Sequence, residues 1–241
     1  MVRMKWLHCL PLTENVKGRK IYLMDQEATK EEVIDPLEVL QAVLPSGVIS
    51  YFGAVGFYEL TTQMPAFFHI GRLVSGMPLE ATVPVEGSGR NPLGMRLFDF
   101  DGIRCYETKR FCGLTPGVQM REIGPRTCYR VTTLEQTLLD TILQPVRCGG
   151  EAVVFEAWGH AKKQADFDRM AEYLQTIGRT SLIRRVGAML EMFDTTVGDS
   201  SALGRLLCAA KSRIGSHDEM VALLPGLNYG QISGGWRVFV P

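Results

Sequence analysis

Several signals that would assign a location or a class of partner are missing from this 241-residue sequence. Basic and acidic residues both number 26, so no net charge attracts the whole chain to nucleic acid or to an anionic membrane. Glycine, proline or charge interrupts every apolar run before the roughly 18 residues of a membrane span, and the N-terminus lacks a signal-peptide layout. The sequence therefore predicts a cytoplasmic protein without a membrane partner.

The six cysteines include no CxxC pair and show no regular spacing. Cys105, Cys112 and Cys128, with His69, fall in a region of predicted strands, where a zinc site could form. Zinc ligands usually come as closely spaced pairs, so the favoured interpretation is reduced, mostly buried thiols. We expect no metal and no cofactor.

Catalytic motifs are also missing. No nucleophile elbow accompanies the four histidines, and no phosphate-binding glycine loop occurs in a strand-turn-helix context. Asp99 and Asp101, with Glu107, could hold Mg²⁺ for phosphoryl transfer, but Asp101-Gly102 is also a typical two-residue hairpin turn. The turn is the favoured interpretation, and a non-enzymatic protein is the expectation.

The hydrophobic pattern divides the chain into three zones. Residues 1–47 predict a short N-terminal segment with one strand and a helix opened by Asp35-Pro36, residues 48–131 a mainly β subregion, and residues 132–241 a mainly helical subregion packed on it. The fold class is α+β: a mixed, mainly antiparallel β region, then a helical C-terminal half and a final short strand.

One predicted helix has unusually clear ends. Thr132 and Glu135 have the spacing of a capping box, and Pro145 stops the helix. Two adjacent i, i+4 rows of leucine and isoleucine between them predict a broad face that must be buried.

Charge is distributed unevenly along the chain. Residues 102–130 carry six basic side chains against two acidic ones, whereas residues 14–59 carry four basic against eight acidic. The two segments could attract each other within the fold, or the basic one could bind nucleic acid or an acidic partner. The candidate residues are Arg104, Lys109, Arg110, Arg121, Arg126 and Arg130.

Four landmarks occur in an order that resembles the antitoxin domain of the AbiEi family. They are residues 49–65 (ISYFGAVGFYELTTQMP), 135–145 (EQTLLDTILQP) followed by Gly149-Gly150, 185–191 (RVGAMLE) and 236–240 (WRVFV). Glu59 and Gln136 depart from the family's usual glycine and basic residue. The landmark residues expected to be structural are Ser50, Gln63, Glu135, Thr137, Asp140, Arg185, Glu191 and Trp236.

The resemblance implies an antitoxin of a type IV toxin-antitoxin or abortive-infection system that acts in phage defence and transcriptional regulation. Its partner would be a nucleotidyltransferase-like toxin, counteracted without a stable complex. Members of the family typically begin with a winged-helix domain, and the 45 or so residues before Ser50 are too few for one. DNA binding by such a domain is therefore not expected, and a nucleic-acid-binding accessory protein, with DNA or RNA on the basic segment, is the alternative.

Overall fold

Strands dominate the first half of the fold and helices the second, which confirms the predicted α+β class. The computed structural model describes residues 7–9, 22–24, 34–76, 91–123, 127–226, 230–233 and 235–241. The strands are β1 (Leu7–Cys9), β2 (Tyr22–Met24), β3 (Val48–Ser50), β4 (Phe67–Val74), β5 (Met95–Phe100), β6 (Ile103–Phe111), β7 (Val118–Ile123), β8 (Thr127–Thr132), β9 (Val221–Ala222), β10 (Gln231–Ile232) and β11 (Val238–Val240).

The main helices follow the predicted apolar periodicity. They are α1 (Pro36–Val43), α2 (Phe52–Phe57), α3 (Leu134–Leu143), α4 (Glu151–Ala161), α5 (Phe167–Ile177), α6 (Thr180–Met192) and α7 (Ala202–Lys211). Among the helices within the described ranges, none combines the length and the apolar character needed to cross a bilayer.

Six strands form one mixed sheet in the order β5-β6-β4-β3-β8-β7. The β5–β6, β3–β4 and β7–β8 pairs are antiparallel, whereas β4–β6 and β3–β8 are parallel. The predicted hairpin between β5 and β6 is confirmed, because Asp101 and Gly102 have φ angles of 49° and 74°, as a tight two-residue turn requires. The order of strands in space thus differs from their order in the chain.

Helix α1 covers one face of the sheet. Asp35 caps it as predicted, with its Oδ1 accepting a hydrogen bond from the Leu37 amide at 2.9 Å. Leu37 and Leu40 join Ile49, Ile70 and other buried strand residues in a core between helix and sheet. Strand alternation directs Arg110 of β6 to the opposite face, where it meets α3.

Helix α3 is the buried centre of the helical half, and all its residues from Glu135 to Ile142 are buried. The predicted Thr132 cap is wrong by one residue. Thr133 is the N-cap and its Oγ1 accepts from the Gln136 amide, whereas Thr132 ends β8 and bonds through its Oγ1 to Thr137. Two consecutive threonines made the position of the cap ambiguous in the sequence.

Two smaller sheets accompany the main one in the described residues: β1 and β2 pair antiparallel, and a three-stranded sheet lies beyond the helices. Strand β11 pairs with β10 antiparallel and with β9 in parallel, which confirms the predicted strand near residue 240. Helix α6 packs against this sheet at Gly187, where an added Cβ would lie 2.4 Å from the Trp236 indole. The third and fourth landmarks therefore contact each other.

Candidate functional site

A cavity of about 470 Å³ opens where β6, α3 and α6 approach one another. Five basic and two acidic residues line it, so the lining has a formal net charge of +3. They are Lys109, Arg110, Arg147, Arg179, Arg185, Asp140 and Glu219. A concave site with converging polar groups is the usual location of a ligand-binding site.

Arg110 and Asp140 form a buried ion pair in this lining, with side chains only 2% and 4% exposed. Arg110 Nη2 donates to Asp140 Oδ1 at 2.9 Å, and Gln136 Nε2 donates to the same oxygen at 3.0 Å. Burial by itself would lower the pKa of Arg110, but the charge and hydrogen bond of Asp140, together with Tyr51 and Cys148, more than offset burial and the pKa is raised. Arg110 therefore stays charged.

Gly71 on the neighbouring strand β4 makes room for this pair. A Cβ at Gly71 would lie 2.2 Å from Cδ of Arg110, so any larger residue would displace the arginine stem. The glycine is therefore required by close approach rather than by an unusual φ angle.

Tyr51 holds two guanidinium groups at the edge of the cavity. The Arg110 Cζ lies 4.7 Å and the Arg147 Cζ 5.5 Å from the centroid of the Tyr51 ring, and Arg147 Nη1 donates to the phenol oxygen at 3.4 Å. The Tyr51 backbone has φ 56° and ψ −130° between β3 and α2. A non-glycine residue in this conformation is strained by roughly 1–3 kcal/mol, which is common at functional sites.

Arg185 brings a further charge from α6. Its Nε donates to the Ala222 carbonyl at 2.8 Å. Burial first, and then the charges of Arg179 and Arg184, lower the pKa of Arg185 to about 10. Repulsion among neighbouring cations is therefore a feature of this part of the lining.

Most other landmark residues have structural contacts. Ser50 Oγ donates to the Val48 carbonyl, Thr137 Oγ1 to the Thr133 carbonyl, and Glu135 accepts from the Asp166 amide. Gln63 is exposed, and its backbone N–H donates to Thr61 Oγ1.

The last landmark residues meet near α6. Glu191 pairs with Lys211 at 2.6 Å. Arg184 Nε donates to the Trp236 carbonyl at 2.8 Å, and burial lowers the pKa of Arg184. The first three landmarks thus share one cavity, through Tyr51, through Asp140, Leu143 and Gln144, and through Arg185, and the fourth landmark packs behind it.

The predicted basic segment does not form one surface. Arg104 and Lys109 are exposed on opposite faces of β6, because they are five residues apart on one strand. Strand β7, with exposed Arg121, lies four strand positions away, about 19 Å. Arg130 is half-buried and donates to the Ser46 carbonyl.

Arg110 departs furthest from that prediction, because its guanidinium is buried against Asp140 rather than offered on the surface. Arg126 lies outside the described residues. Strand alternation and the position of β3 and β4 between β6 and β8 separate basic residues that are close in the sequence.

The carboxylates considered for Mg²⁺ have other partners. Asp99 pairs with Arg96, Glu107 pairs with Arg72, and Asp101 makes the hairpin turn. Within the part of the chain that the structure describes, no three His, Cys, Asp or Glu residues are grouped as metal ligands.

The cysteines are less buried than predicted. Cys105 and Cys148 are buried, but Cys112, Cys128 and Cys208 are exposed, and all five are free thiols. Burial raises the pKa of the Cys105 thiol to about 12.

His69 of β4 is completely buried beside the cavity's aromatic edge. It stacks on Tyr106 and meets Tyr51 edge-on. Its Nε2 lies 2.8 Å from the Leu93 carbonyl, which can only accept, so Nε2 carries the proton. Burial, with Arg147 nearby, lowers the pKa of His69 to about 3. The ring is neutral near pH 7.

Arg147 and Arg179 were not singled out from the sequence, and neither was Tyr51 as an individual residue. Tyr51 lies within the first landmark, and Arg147 follows the second by two residues. The order of the landmarks was thus the available signal, since the cavity joins positions more than 100 residues apart.

Comparisons with known proteins bear on the fold. No family model and no curated protein matches the sequence. Among solved structures, the fold is similar to that of the RV2827C protein from Mycobacterium tuberculosis, with a TM-score of 0.54 and 16% sequence identity. The similarity covers 97% of this chain and 74% of that chain. At this identity it shows a shared fold and nothing about activity.

Proposed function

We propose that this chain is an antitoxin-like protein of the AbiEi type that counteracts a nucleotidyltransferase-like toxin. The observation that supports this most is the convergence of the landmarks that carry the resemblance. Tyr51, Asp140 and Arg185, from three landmarks, line one cavity, and Trp236 of the fourth packs on Gly187 behind it.

The contacts support a protein that acts by binding. The ionisable side chains of the cavity are mainly cations, of which Arg110 pairs with Asp140 and Arg147 and Arg185 donate to backbone carbonyls, an arrangement suited to attracting an anion. Antagonism of a toxin without a stable complex, with transcriptional regulation as a second role, fits a protein whose site attracts an anion.

Growth rescue tests the proposal. Cells would express the reading frame adjacent to this gene from an inducible promoter, with and without the chain. We expect the chain to restore growth. Failure to restore growth, with both proteins detected by immunoblot, would contradict the proposal.

Variants make the same assay informative about the cavity. Arg185→Gln removes a charge from the lining, and Arg213→Gln removes one from an exposed arginine outside it. Loss of rescue with the first and not the second would connect the antitoxin role to the cavity. Equal rescue by both variants would separate that role from the cavity.

Nucleic-acid binding is the second candidate function, favoured by the exposure of Arg104, Lys109 and Arg121. A gel shift with duplex DNA at 50 and 200 mM salt tests it. Binding that weakens with salt and is reduced when Lys109 and Arg121 become Ala would support this function. Binding unchanged by these substitutions would exclude a role for the basic segment.

A further inference from the structure

The cavity holds more positive charge than its own carboxylates balance. Asp140 neutralises Arg110, but Arg147 makes its hydrogen bonds to uncharged oxygens, those of Pro92 and Tyr51. Arg185 likewise donates to a backbone carbonyl. Two arginines from different elements therefore line one cavity with contacts that leave their charge in place. Bringing like charges together is unfavourable unless an anion joins them.

Donor groups in the lining also remain unfilled. Among the described residues, no acceptor forms a hydrogen bond with Nε of buried Arg110, and its Nη1 lies 2.8 Å from Asp140 Oδ2 without the alignment of a hydrogen bond. Arg185 is held through its Nε, so its two Nη atoms are not needed for that contact. Guanidinium groups with spare N–H donors match the several oxygens of a phosphate group.

The lining also has an apolar part, formed by Phe111, Leu114, Leu143, Val221 and Pro225, beside the uncharged polar residues Thr115, Gln144 and Ser181. A ligand that fills the cavity would therefore have one strongly anionic end and one apolar or aromatic part. The volume of about 470 Å³ lies within the range of roughly 300–1,000 Å³ typical of small-molecule sites.

We propose that this cavity is a binding site for a phosphate monoester of mononucleotide size, with its phosphate held by Arg147 and Arg185 and its ring system against the Phe111 side. A dianionic phosphate balances the charges of Arg147 and Arg185 together, which a single carboxylate would not. The strained backbone of Tyr51 supports the assignment, because it fixes the ring that orients Arg147. The proposal concerns a ligand of the folded chain and does not depend on the antitoxin role.

Titration calorimetry on the full chain tests the site with four nucleoside monophosphates, adenosine, inorganic phosphate and a 20-nucleotide RNA as probes. We expect one mononucleotide per chain, bound more tightly than either adenosine or inorganic phosphate. Binding should tighten between pH 5 and 7, as the phosphate loses its second proton with a pKa of about 6. It should weaken as salt rises.

Charge-removing variants locate the site. Arg147→Gln and Arg185→Gln should each weaken binding about tenfold or more, whereas Arg213→Gln, outside the cavity, should leave it unchanged. Circular dichroism melting checks that each variant still folds. If one arginine variant unfolds, the other alone is enough to test the location of the site.

Three outcomes would overturn the proposal. The first is no binding of any monophosphate at millimolar concentration. The second is binding that the arginine variants do not weaken. The third is a preference for inorganic phosphate over every mononucleotide, because the apolar wall would then contribute nothing, or a preference for the RNA, because the ligand would then not be of mononucleotide size.

Discussion

Arg110 on β6 and Asp140 on α3 join the sheet to the helical half through a buried ion pair, with Nη2 and Oδ1 2.9 Å apart. Each charge of the pair is compensated by a residue in the other half of the fold. Its energetic role follows from the cost of leaving either partner alone in the interior.

Removal of one partner should be more damaging than removal of both. Asp140→Leu leaves a buried guanidinium uncompensated, so we expect a loss of about 3–5 kcal/mol in the free energy of unfolding. The double variant Arg110→Met/Asp140→Leu should recover much of this loss. Urea unfolding of Asp140→Leu, Arg110→Met and the double variant measures the three free energies of unfolding, and additive effects of the two single substitutions would contradict the prediction.

Gly187 and Gly159 form a matched test of close packing. Both lie inside helices, but a Cβ at Gly187 would meet the Trp236 indole at 2.4 Å, whereas one at Gly159 would contact Phe193 at an ordinary 3.5 Å. We expect Gly187→Ala to destabilise the fold by roughly 1–3 kcal/mol. Gly159→Ala should stabilise it by about 0.4–1 kcal/mol. Thermal unfolding compares them, and equal effects would disprove the Trp236 contact.

His69 should make the fold less stable in mild acid. Its pKa is about 3 in the folded chain, against about 6.5 when unfolded, so between these values the unfolded state binds a proton that the folded state does not. The contribution of neutral His69 to the free energy of unfolding is fully present above pH 6.5. As the pH decreases from 6.5 toward 3, the free energy of unfolding decreases by up to about 1.4 kcal/mol per pH unit.

His69→Gln isolates this effect, because glutamine can still donate to the Leu93 carbonyl without titrating. Urea unfolding is measured at pH 5.0 to 6.5, above the range in which carboxylates titrate. The free energy of unfolding should depend less steeply on pH in the variant than in the original chain. An unchanged slope would show that His69 is not the responsible group.

Glu156 on α4 should hold the loop before β4. Its carboxylate accepts from Thr61 Oγ1 and from the amide and hydroxyl of Thr62, which lowers the pKa of Glu156 to about 2. The stabilisation of the loop by the ionised Glu156 carboxylate is present above the ordinary carboxyl pKa and is lost as the pH falls through about 2.

Glu156→Gln removes the charge, so we expect faster hydrogen exchange at the Thr62 amide near pH 7 with little change in global stability. Glu172→Gln, an exposed glutamate on α5, serves as the control. Protection of Thr62 that is the same in both variants would disprove the role of the carboxylate.

Local signals predicted most of the elements. Helices α4 to α7 follow apolar repeats, and the Asp101-Gly102 turn and the Asp35 cap depend on residues next to one another in the chain. The cap of α3 was misplaced because Thr132 and Thr133 have the same side chain, and only strand pairing of Thr132 with Val118 selects between them.

The cavity could not be predicted because its chemistry depends on long-range placement. Arg110 was grouped with exposed Lys109 on the basis of charge, whereas the alternation of β6 buries one and exposes the other. Arg147 acquires its orientation from Tyr51, 96 residues earlier. No spacing along the chain encodes that contact.

The central position of β3 has a consequence for how the protein is made. Ile49 pairs in parallel with Val131, so β3 leaves the ribosome long before its neighbour β8 has been synthesised. During that interval β3 and β4 present an open strand edge, which is the part of a nascent chain that pairs readily with other chains. Successful expression should therefore depend on translation rate and on chaperone supply more than the stability of the finished fold would suggest.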